Sequence, residues 1–484
     1  MPRFGGFGED IAPRVHPLND RPAPREADGA RYVLCWAQQA LRAEDNPLID
    51  AGIELGNALG LPVLVYHGLR MDYPHASDRL HRFILGVSRD MQRGAEARGL
   101  RAVTYVETSD VREKGLAYRL AEDAAAVLTD EQFVFVAKEQ ARRFAERCKR
   151  PVLAVDCARL VPTRTLREGI ETVPTFRKAS GEARDAFLAH ADGFEPACPP
   201  YDGPLPFEDA RLADRTDEEL DALTASCAID HTLPPSAEFP ATAAAANAAL
   251  DEFAKHGLAR YQYTRSNPAE EHGASRLSPY LHFGVLSPRG VARAVKTAHL
   301  KASPKWKFLD ELLTWREWFH YLCLHAERPD DFGFVPERPR ASLLAHADDP
   351  RETLYGLDAL IHGKTDDETW NAGQRQWLAT GYMHNNLRMY WGKQIIKWTP
   401  DPETAWRTAC YLNDRLSLDG RDPATYGNMR WVFGDARPAY REQAVYGWVA
   451  PKTDRGITKR AGAPTWIAQQ AARDVPRVSV PSAI

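Results

Sequence analysis

The feature that most constrains the fold is an alternation of short apolar runs and helix-length segments that begins at Arg31. The apolar runs read RYVLCWA, LPVLVYHG, LRAVTYVE, AAVLTD and RPVLAVDC, and the segments between them include NPLIDAGIELGNALG and DRLHRFILGVSRDMQRGAEARG. Almost continuous apolar strands that alternate with helices are typical of a parallel sheet covered on both faces. We therefore predict a Rossmann-like parallel α/β domain over residues 31–165. No GxGxxG turn follows its first strand, so nothing there indicates a dinucleotide site.

The remainder of the chain divides at proline-rich segments. PACPPYDGPLP at 196–206 and PPSAEFP at 234–240 bracket a connector, so we predict an interdomain linker over 166–240. Helical periodicity dominates from ATAAAANAALDEFAKHG onward and predicts an all-helical domain over 241–462. The fold class is therefore an α/β domain followed by an all-α domain.

The two ends of the chain are predicted to lie outside these domains. Residues 1–30 are rich in Pro, Gly and charge, and we expect a disordered or loosely packed extension there, while 463–484 form a C-terminal tail. The N-terminal segment has no apolar core of a secretory signal, and no run of eighteen apolar residues occurs. These patterns indicate neither export nor a membrane span, so we expect a cytoplasmic protein.

The cysteines and the charge limit the classes of site. The seven cysteines are odd in number, scattered and never in CxxC spacing, which favours reduced thiols over disulfides or a zinc site. No cluster of metal-ligating histidines occurs, so we predict no metal. The net charge is −4, but residues 421–484 contain ten Lys and Arg against five Asp and Glu. This local excess indicates either a polyanion site or a solvated basic surface.

Tryptophans are concentrated between Trp370 and Trp431, where six of the chain's twelve lie within 62 residues. They are interleaved with polar residues that an aromatic core does not require, including Asn385, Arg388 and Asn413. Tryptophans beside polar groups that could seat a redox cofactor indicate light-driven electron transfer.

Two further segments carry candidate chemistry. Ser275 and Ser278 precede a Ser-Pro helix start, where hydroxyls and N–H groups suit either a phosphate or an ordinary helix cap. In FLDELLTWREWFHYL, Glu311 and Trp315 are four residues apart and share one helical face. That pair fits either a binding site or a salt bridge beside a core tryptophan.

Four phrases, in this order, resemble the photolyase and cryptochrome flavoproteins: SRLSPYLHFGVLSPR, TWREWF, TGYMHNNLRMYW and YLNDRLSLDGRDP. LRAEDNPL near the first strand and VDCARLVPT at the end of the α/β layer are also similar to that family. The resemblance covers nearly the whole chain from about Arg31 and is nearest to the class II cyclobutane pyrimidine dimer photolyases. TWREWF and the tetrad MHNN are more similar to the class I pattern.

The resemblance implies that the helical domain binds one folded FAD, with reduced FADH⁻ as the active form. The cofactor-binding positions that it implies are Tyr261, Ser275, Leu277, Ser278, Arg388, Asn413, Asp419 and Asp422. Arg388 and Asp419 match positions beside the isoalloxazine, where a paired positive charge stabilises an anionic reduced flavin. Asn413 matches the asparagine that faces flavin N5.

The resemblance also implies an electron relay and a lesion pocket. Trp391 and Trp370 match the tryptophans that photoreduce the flavin, with Trp391 nearer the cofactor, and Trp398 has a weaker match. The positions that match the lesion pocket are Glu311, Trp315, Met389 and Trp431. By these matches the catalytic residues are Glu311, Asn413, Trp391 and Trp370.

The implied function is light-dependent repair of cyclobutane pyrimidine dimers in UV-damaged DNA by a monomeric deoxyribodipyrimidine photo-lyase. The same fold also accommodates a 6-4 photolyase or a cryptochrome-type blue-light receptor. A different class of function is a helical DNA-binding protein without a cofactor. The resemblance leaves open whether the α/β domain holds an antenna chromophore of the deazaflavin or folate type.

Overall fold

The computed structural model describes residues 7–24, 29–190, 193–435, 440–482 and 484. Its strands form one six-stranded sheet and are β1 (Val15–Pro17), β2 (Tyr32–Ala37), β3 (Val63–Leu69), β4 (Arg101–Val106), β5 (Ala124–Asp130) and β6 (Val152–Val155). Their order across the sheet is β1-β6-β5-β2-β3-β4, and every pair except β1–β6 is parallel. In the centre, Cys35 lies opposite Val65 of β3 and Leu128 of β5. The predicted parallel α/β layer is confirmed.

The sheet includes one strand that the sequence analysis assigned to the N-terminal extension. β1 pairs antiparallel with β6, with Val15 opposite Val155, and Arg14 donates to the carbonyls of Asp156, Arg159 and Leu160. The expectation of a disordered or loosely packed extension is therefore wrong for this part of residues 1–30. The pairing uses backbone groups of an edge strand, which leave no apolar periodicity in the sequence. Residues 1–6 and 25–28 lie outside the described residues.

Helices cover the sheet and continue through the linker. In the α/β layer they are α1 (Pro47–Leu59), α2 (Asp78–Ala97), α3 (Leu116–Glu122) and α4 (Phe135–Arg147). The segment predicted as a linker contains α5 (Val173–Ala189) and α6 (Asp217–Ala225). α1 shows how local sequence sets the boundaries: Asn46 accepts from Leu48 N at the start, and Gly60 adopts a left-handed conformation at the end.

The C-terminal half is helical. Its helices are α7 (Ala243–Glu252), α8 (Tyr261–Thr264), α9 (Ser278–His282), α10 (Pro288–Thr297), α11 (Ala302–Asp310), α12 (Arg316–Leu324), α13 (Glu337–Ala345), α14 (Leu357–His362), α15 (Glu368–Thr380), α16 (Asn385–Trp398), α17 (Pro402–Leu416), α18 (Pro423–Arg430), α19 (Arg455–Thr458) and α20 (Ala463–Ala471). π-Helical turns occupy Phe253–Gly257, Glu311–Trp315 and Trp431–Asp435. Short 3₁₀ turns occupy Ala12–Arg14, Thr163–Thr165, Leu212–Asp214, Leu258–Arg260 and Phe332–Phe334. The predicted fold class is confirmed, while the residue boundaries of the domains stay a prediction.

A buried arginine of the α/β layer bonds to two helices of the C-terminal half. Arg79 of α2 is fully buried and donates to the carbonyls of Trp377 and Leu378 at the end of α15 and of Leu416 at the end of α17. Burial lowers the pKa of Arg79 to about 9, so its guanidinium stays charged at neutral pH. A cation at two helix C-termini supplies a donor to carbonyls of the last turns, and it shares the Trp377 carbonyl with the Gly381 N–H.

We predict that Arg79→Met lowers the free energy of unfolding by about 3–5 kcal/mol, because the buried carbonyls of Leu378 and Leu416 lose the guanidinium donor. Arg82→Met is the matched control on the next turn of the same helix. Arg82 pairs with the largely exposed carboxylates of Asp217 and Asp221, so its loss should cost under about 1 kcal/mol. Denaturant unfolding of both variants measures the difference, and equal losses would contradict the role of Arg79.

Candidate functional site

A cavity of about 410 Å³ lies within the helical half of the chain. Eight of the residues predicted to form the site line this cavity: Ser278, Glu311, Trp315, Arg388, Met389, Asp419, Asp422 and Trp431. They come from segments up to 153 residues apart in sequence, so the helical fold brings them together. Four of the eight residues matched to a flavin therefore share one cavity with all four residues matched to a lesion.

The other six predicted residues lie outside the cavity lining. Leu277 is buried, Ser275 is half-buried, and Tyr261 packs its ring against Phe253 and Phe308. The last three are the buried residues Asn413, Trp391 and Trp370. Their roles depend on the contacts described below and stay predictions.

The ion pair between Arg388 and Asp419 is one side of the cavity. Arg388 Nη2 lies 3.1 Å from Asp419 Oδ1, and both side chains are about a tenth exposed. Burial raises the pKa of Asp419, but the Arg388 charge and hydrogen bonds from Ser278 and Ser417 outweigh it and leave this pKa below its ordinary value. The pair therefore remains charged inside the protein.

A second buried carboxylate connects the cavity to the α/β layer. Asp422 caps α18 by accepting from Ala424 N, and its Oδ2 lies 3.0 Å from His282 Nδ1. Burial raises the pKa of Asp422, but the hydrogen bond from His282 and nearby positive groups outweigh this and depress it. Gln39, which follows β2, contacts the His282 ring at 2.8 Å. The sheet thus helps to position Asp422.

Glu311 lies in an ion cluster at the cavity. Its Oε1 is 3.0 Å from Arg265 Nη1 and 2.6 Å from Lys307 Nζ, and all three side chains line the cavity. Glu311 and Trp315 belong to the π-helical turn between α11 and α12, a distortion that often marks functional sites. Trp315 meets Trp431 edge to face, with ring centroids 4.8 Å apart. These two rings form perpendicular aromatic walls.

The buried tryptophans form a connected series. Trp391 stacks with Trp370 at a centroid distance of 6.0 Å, and Trp370 contacts Trp398 at 5.4 Å. Trp377 contacts Trp391 at 5.1 Å and lies beneath the Arg388 guanidinium, 5.3 Å from its ring centroid. The series thus runs from the cavity-lining Arg388 to Trp398, whose exposure is 6%.

The charges and unsatisfied groups test whether FAD suits this cavity. Four lining cations, Arg265, Lys307, Arg316 and Arg388, face three lining carboxylates, Glu311, Asp419 and Asp422, which favours an anionic ligand. Among the described residues, Arg388 Nε and Asn413 Oδ1 are buried polar atoms without a hydrogen-bond partner. A bound flavin offers acceptor atoms of the kind that Arg388 Nε needs in the cavity wall, whereas Asn413 lies outside the lining. The residues fit the cofactor that the resemblance implies.

Several functional residues had no signal in the sequence analysis. Arg265, which directly follows α8, and Lys307 of α11 both form ion pairs with Glu311. Only the Lys307–Glu311 pair has a local signal in the sequence, its i,i+4 spacing. Trp377 is a fully buried core residue, and it also contacts both the Trp391 ring and the Arg388 guanidinium. Its helical spacing could not show which aromatic ring it faces.

A second cavity, of about 390 Å³, lies at the carboxyl edge of the sheet. Its lining includes Gln38 and Gln39 after β2, Arg70 after β3, and His282 from the helical half. In open parallel sheets, ligands bind outside the carboxyl ends of the strands where the strand order reverses. β2 is such a position here, because the chain proceeds to β3 on one side and reaches β5 on the other.

The described part of the chain contains neither a membrane-spanning helix nor a cluster of metal ligands. No helix there is long and apolar enough to cross a membrane. No group of three or more His, Cys, Asp or Glu side chains in those residues is arranged to hold a metal ion.

The chain is similar to several proteins named deoxyribodipyrimidine photo-lyase. The protein from Methanothermobacter thermautotrophicus is 32% identical over 439 residues, which cover 89% of this chain and 92% of that protein. The protein from Arabidopsis thaliana is 28% identical over 455 residues, covering 90% of this chain and 88% of the relative. No family model matches the chain.

Solved structures share the fold at lower identity. A class III photolyase from Agrobacterium tumefaciens has a TM-score of 0.67 at 21% identity, covering 91% of this chain and 86% of its own. An archaeal photolyase from Sulfolobus tokodaii, described with two FAD molecules, has a TM-score of 0.63 at 16% identity, covering 93% and 96%. A Synechocystis cryptochrome reaches 0.66 at 15% identity, covering 91% and 88%.

Proposed function

The chain belongs to the photolyase/cryptochrome family, and from that premise we propose that it is a deoxyribodipyrimidine photo-lyase, a carbon–carbon lyase that repairs UV-damaged DNA. Its lesion is the cyclobutane pyrimidine dimer, and its nearest group is class II. The observation that supports this best is the shared cavity, in which the Arg388–Asp419 pair and the aromatic walls Trp315 and Trp431 occur together. The protein acts as a monomer in the cytoplasm, and sedimentation of the flavin-loaded protein tests the first of these.

Reduced FAD, when bound, supplies the electron that light transfers to the dimer. Arg388 and Asp419 would hold the isoalloxazine side of the cofactor, since their paired charges sit in the cavity wall. Ser278 hydrogen-bonds Asp419 and lies with Ser275 and Leu277 on the segment that would follow the diphosphate. Asn413 would direct its unsatisfied Oδ1 to a donor on the flavin.

The lesion would enter the same cavity from the DNA. A dimer must leave the base stack to reach a buried group, at a cost of about a few kcal/mol that is smaller for damaged bases. Trp315 and Trp431 would contact its faces, and Met389 would pack beside them. Glu311 positions Arg265 and Lys307, whose positive charges favour an electron on the dimer over the neutral ground state.

The α/β layer supports a second proposal, that the cavity at the sheet edge binds an antenna chromophore of the deazaflavin or folate type. Its position at the strand-order reversal and its lining by Gln38, Arg70 and His282 suit an aromatic polar ligand. Extraction of the purified protein would identify the chromophore. A repair action spectrum that follows FAD absorption alone would contradict the proposal.

We predict that the protein restores a dimer-containing oligonucleotide under near-UV or blue light and leaves it unchanged in darkness. Glu311→Ala should lower repair per absorbed photon by about tenfold or more, because Arg265 and Lys307 lose the carboxylate that positions them. The FAD content should stay unchanged. Glu271→Gln, at an exposed glutamate, is the control and should repair normally. Repair of only the 6-4 photoproduct would reject the dimer assignment, and an unchanged yield in Glu311→Ala would reject the role of Glu311.

We predict that Trp391→Phe and Trp370→Phe block flavin photoreduction but leave repair largely intact once the flavin is reduced chemically. The relay only recharges the cofactor, and phenylalanine is much harder to oxidise than tryptophan. Trp406→Phe is the control, because Trp406 is equally buried but contacts Phe433 and Phe332 instead of the relay. Photoreduction at the native rate in either relay variant, followed by flavin absorbance, would disprove this route.

A further inference from the structure

We propose that an exposed aromatic rim, Tyr263 of α8 and Trp306 of α11, binds an unpaired nucleotide of the DNA next to the extruded dimer by stacking. This inference rests on the proposed repair function and extends it, since it adds a DNA contact outside the lesion cavity. Tyr263 and Trp306 lie outside both the tryptophan-rich segment 370–431 and the basic segment 421–484.

The exposure of the two side chains is the first observation. Tyr263 is 73% exposed and Trp306 is 59% exposed, more than any other large hydrophobic side chain in the described part of the chain. Their neighbours Tyr261 and Phe308 are buried and pack together, with ring centroids 5.4 Å apart. The same two short segments therefore bury one aromatic each and present another to solvent.

The position of the rim is the second observation. Ser303 Oγ donates to Gln262 Oε1 at 2.7 Å, which joins the residue beside Tyr263 to the residue one turn before Trp306. Lys307, directly after Trp306, lines the lesion cavity, as does Arg265, two residues after Tyr263. Each exposed ring is therefore within two residues, in sequence, of a side chain that lines the cavity.

The charge around Trp306 is the third observation. Residues 289–309 contain six Lys and Arg and no Asp or Glu, although Arg289, Lys296 and Lys307 pair with the carboxylates of Asp45, Asp185 and Glu311 from outside this range. Lys301 is exposed, and Lys305 donates to the neutral carbonyl of Lys296, so that contact leaves its positive charge uncompensated. An aromatic ring among lysines combines a stacking surface with attraction to phosphates, which is the pattern of single-strand nucleic-acid sites.

The lesion reaction explains why an unpaired nucleotide is available there. Moving a dimer out of the duplex leaves neighbouring and opposite bases without part of their stacking. In an intact duplex the base faces are covered by neighbouring bases and cannot stack on a surface ring. The rim should therefore contribute to binding of damaged duplex and single strands and much less to binding of undamaged duplex.

The test compares variants of the full chain by fluorescence anisotropy with three probes: a dimer-containing duplex, the matched undamaged duplex and a single strand of the same sequence. Trp306→Ala should weaken binding of the damaged duplex and the single strand by about tenfold, and binding of the undamaged duplex by less than about twofold. Trp306→Phe should restore affinity because it keeps a planar ring, whereas Trp306→Leu should behave like Trp306→Ala. Tyr263→Ala should lose affinity in the same pattern.

Val111→Ala, at an exposed side chain of the α/β half, is the control and should bind all three probes normally. Unchanged affinity in Trp306→Ala, an equal loss for undamaged duplex, or full rescue by leucine would each overturn the inference. A wild-type protein that does not prefer the damaged duplex would instead count against the repair function itself. The two failures are thus distinguishable.

Discussion

The site depends on the hydrogen bonds that the buried guanidinium of Arg79 donates to the ends of two helices. This guanidinium closes the carboxyl ends of α15 and α17, and the residues that follow these two helices enter the cavity lining: Tyr382 and Met383 after α15, and Asp419 and Asp422 after α17. Leu418 N donates to Gly381 O at 2.9 Å and joins the two loops directly. One side chain of the α/β layer therefore sets the relative position of both loops that contribute these residues to the cavity lining.

The charges in the cavity lining determine which class of ligand it can bind. A buried ion pair contributes little net stability by itself, because desolvation offsets much of the attraction. Arg388 and Asp419 are better understood as groups held ready for a charged ligand, since Arg388 Nε has no hydrogen-bond partner among the described residues. The lining has a slight excess of cations, and Glu311 concentrates two of them, Arg265 and Lys307, at one position. An anionic cofactor and a lesion that gains an electron both fit this field.

The sequence predicted what depends on side-chain pattern and missed what depends on long-range approach. Continuous apolar runs predicted all five parallel strands, because parallel strands are buried on both faces, while β1 was missed because it joins the sheet through backbone groups. Long ordered motifs indicated Arg388 and Asp419 as a pair. The approach of Arg265 to Glu311 across 46 residues left no local pattern, and neither did the contact of Trp377 with Trp391.

We propose that the cavity formed by these helices holds a flavin, and release of the cofactor tests this most directly. Protein purified under native conditions should be yellow or blue, and its heat-released supernatant should contain roughly one FAD per chain by absorbance and chromatography. Folding is checked on the same sample by circular dichroism. Well-folded protein that contains no flavin, and that takes up none when incubated with FAD, would contradict the account.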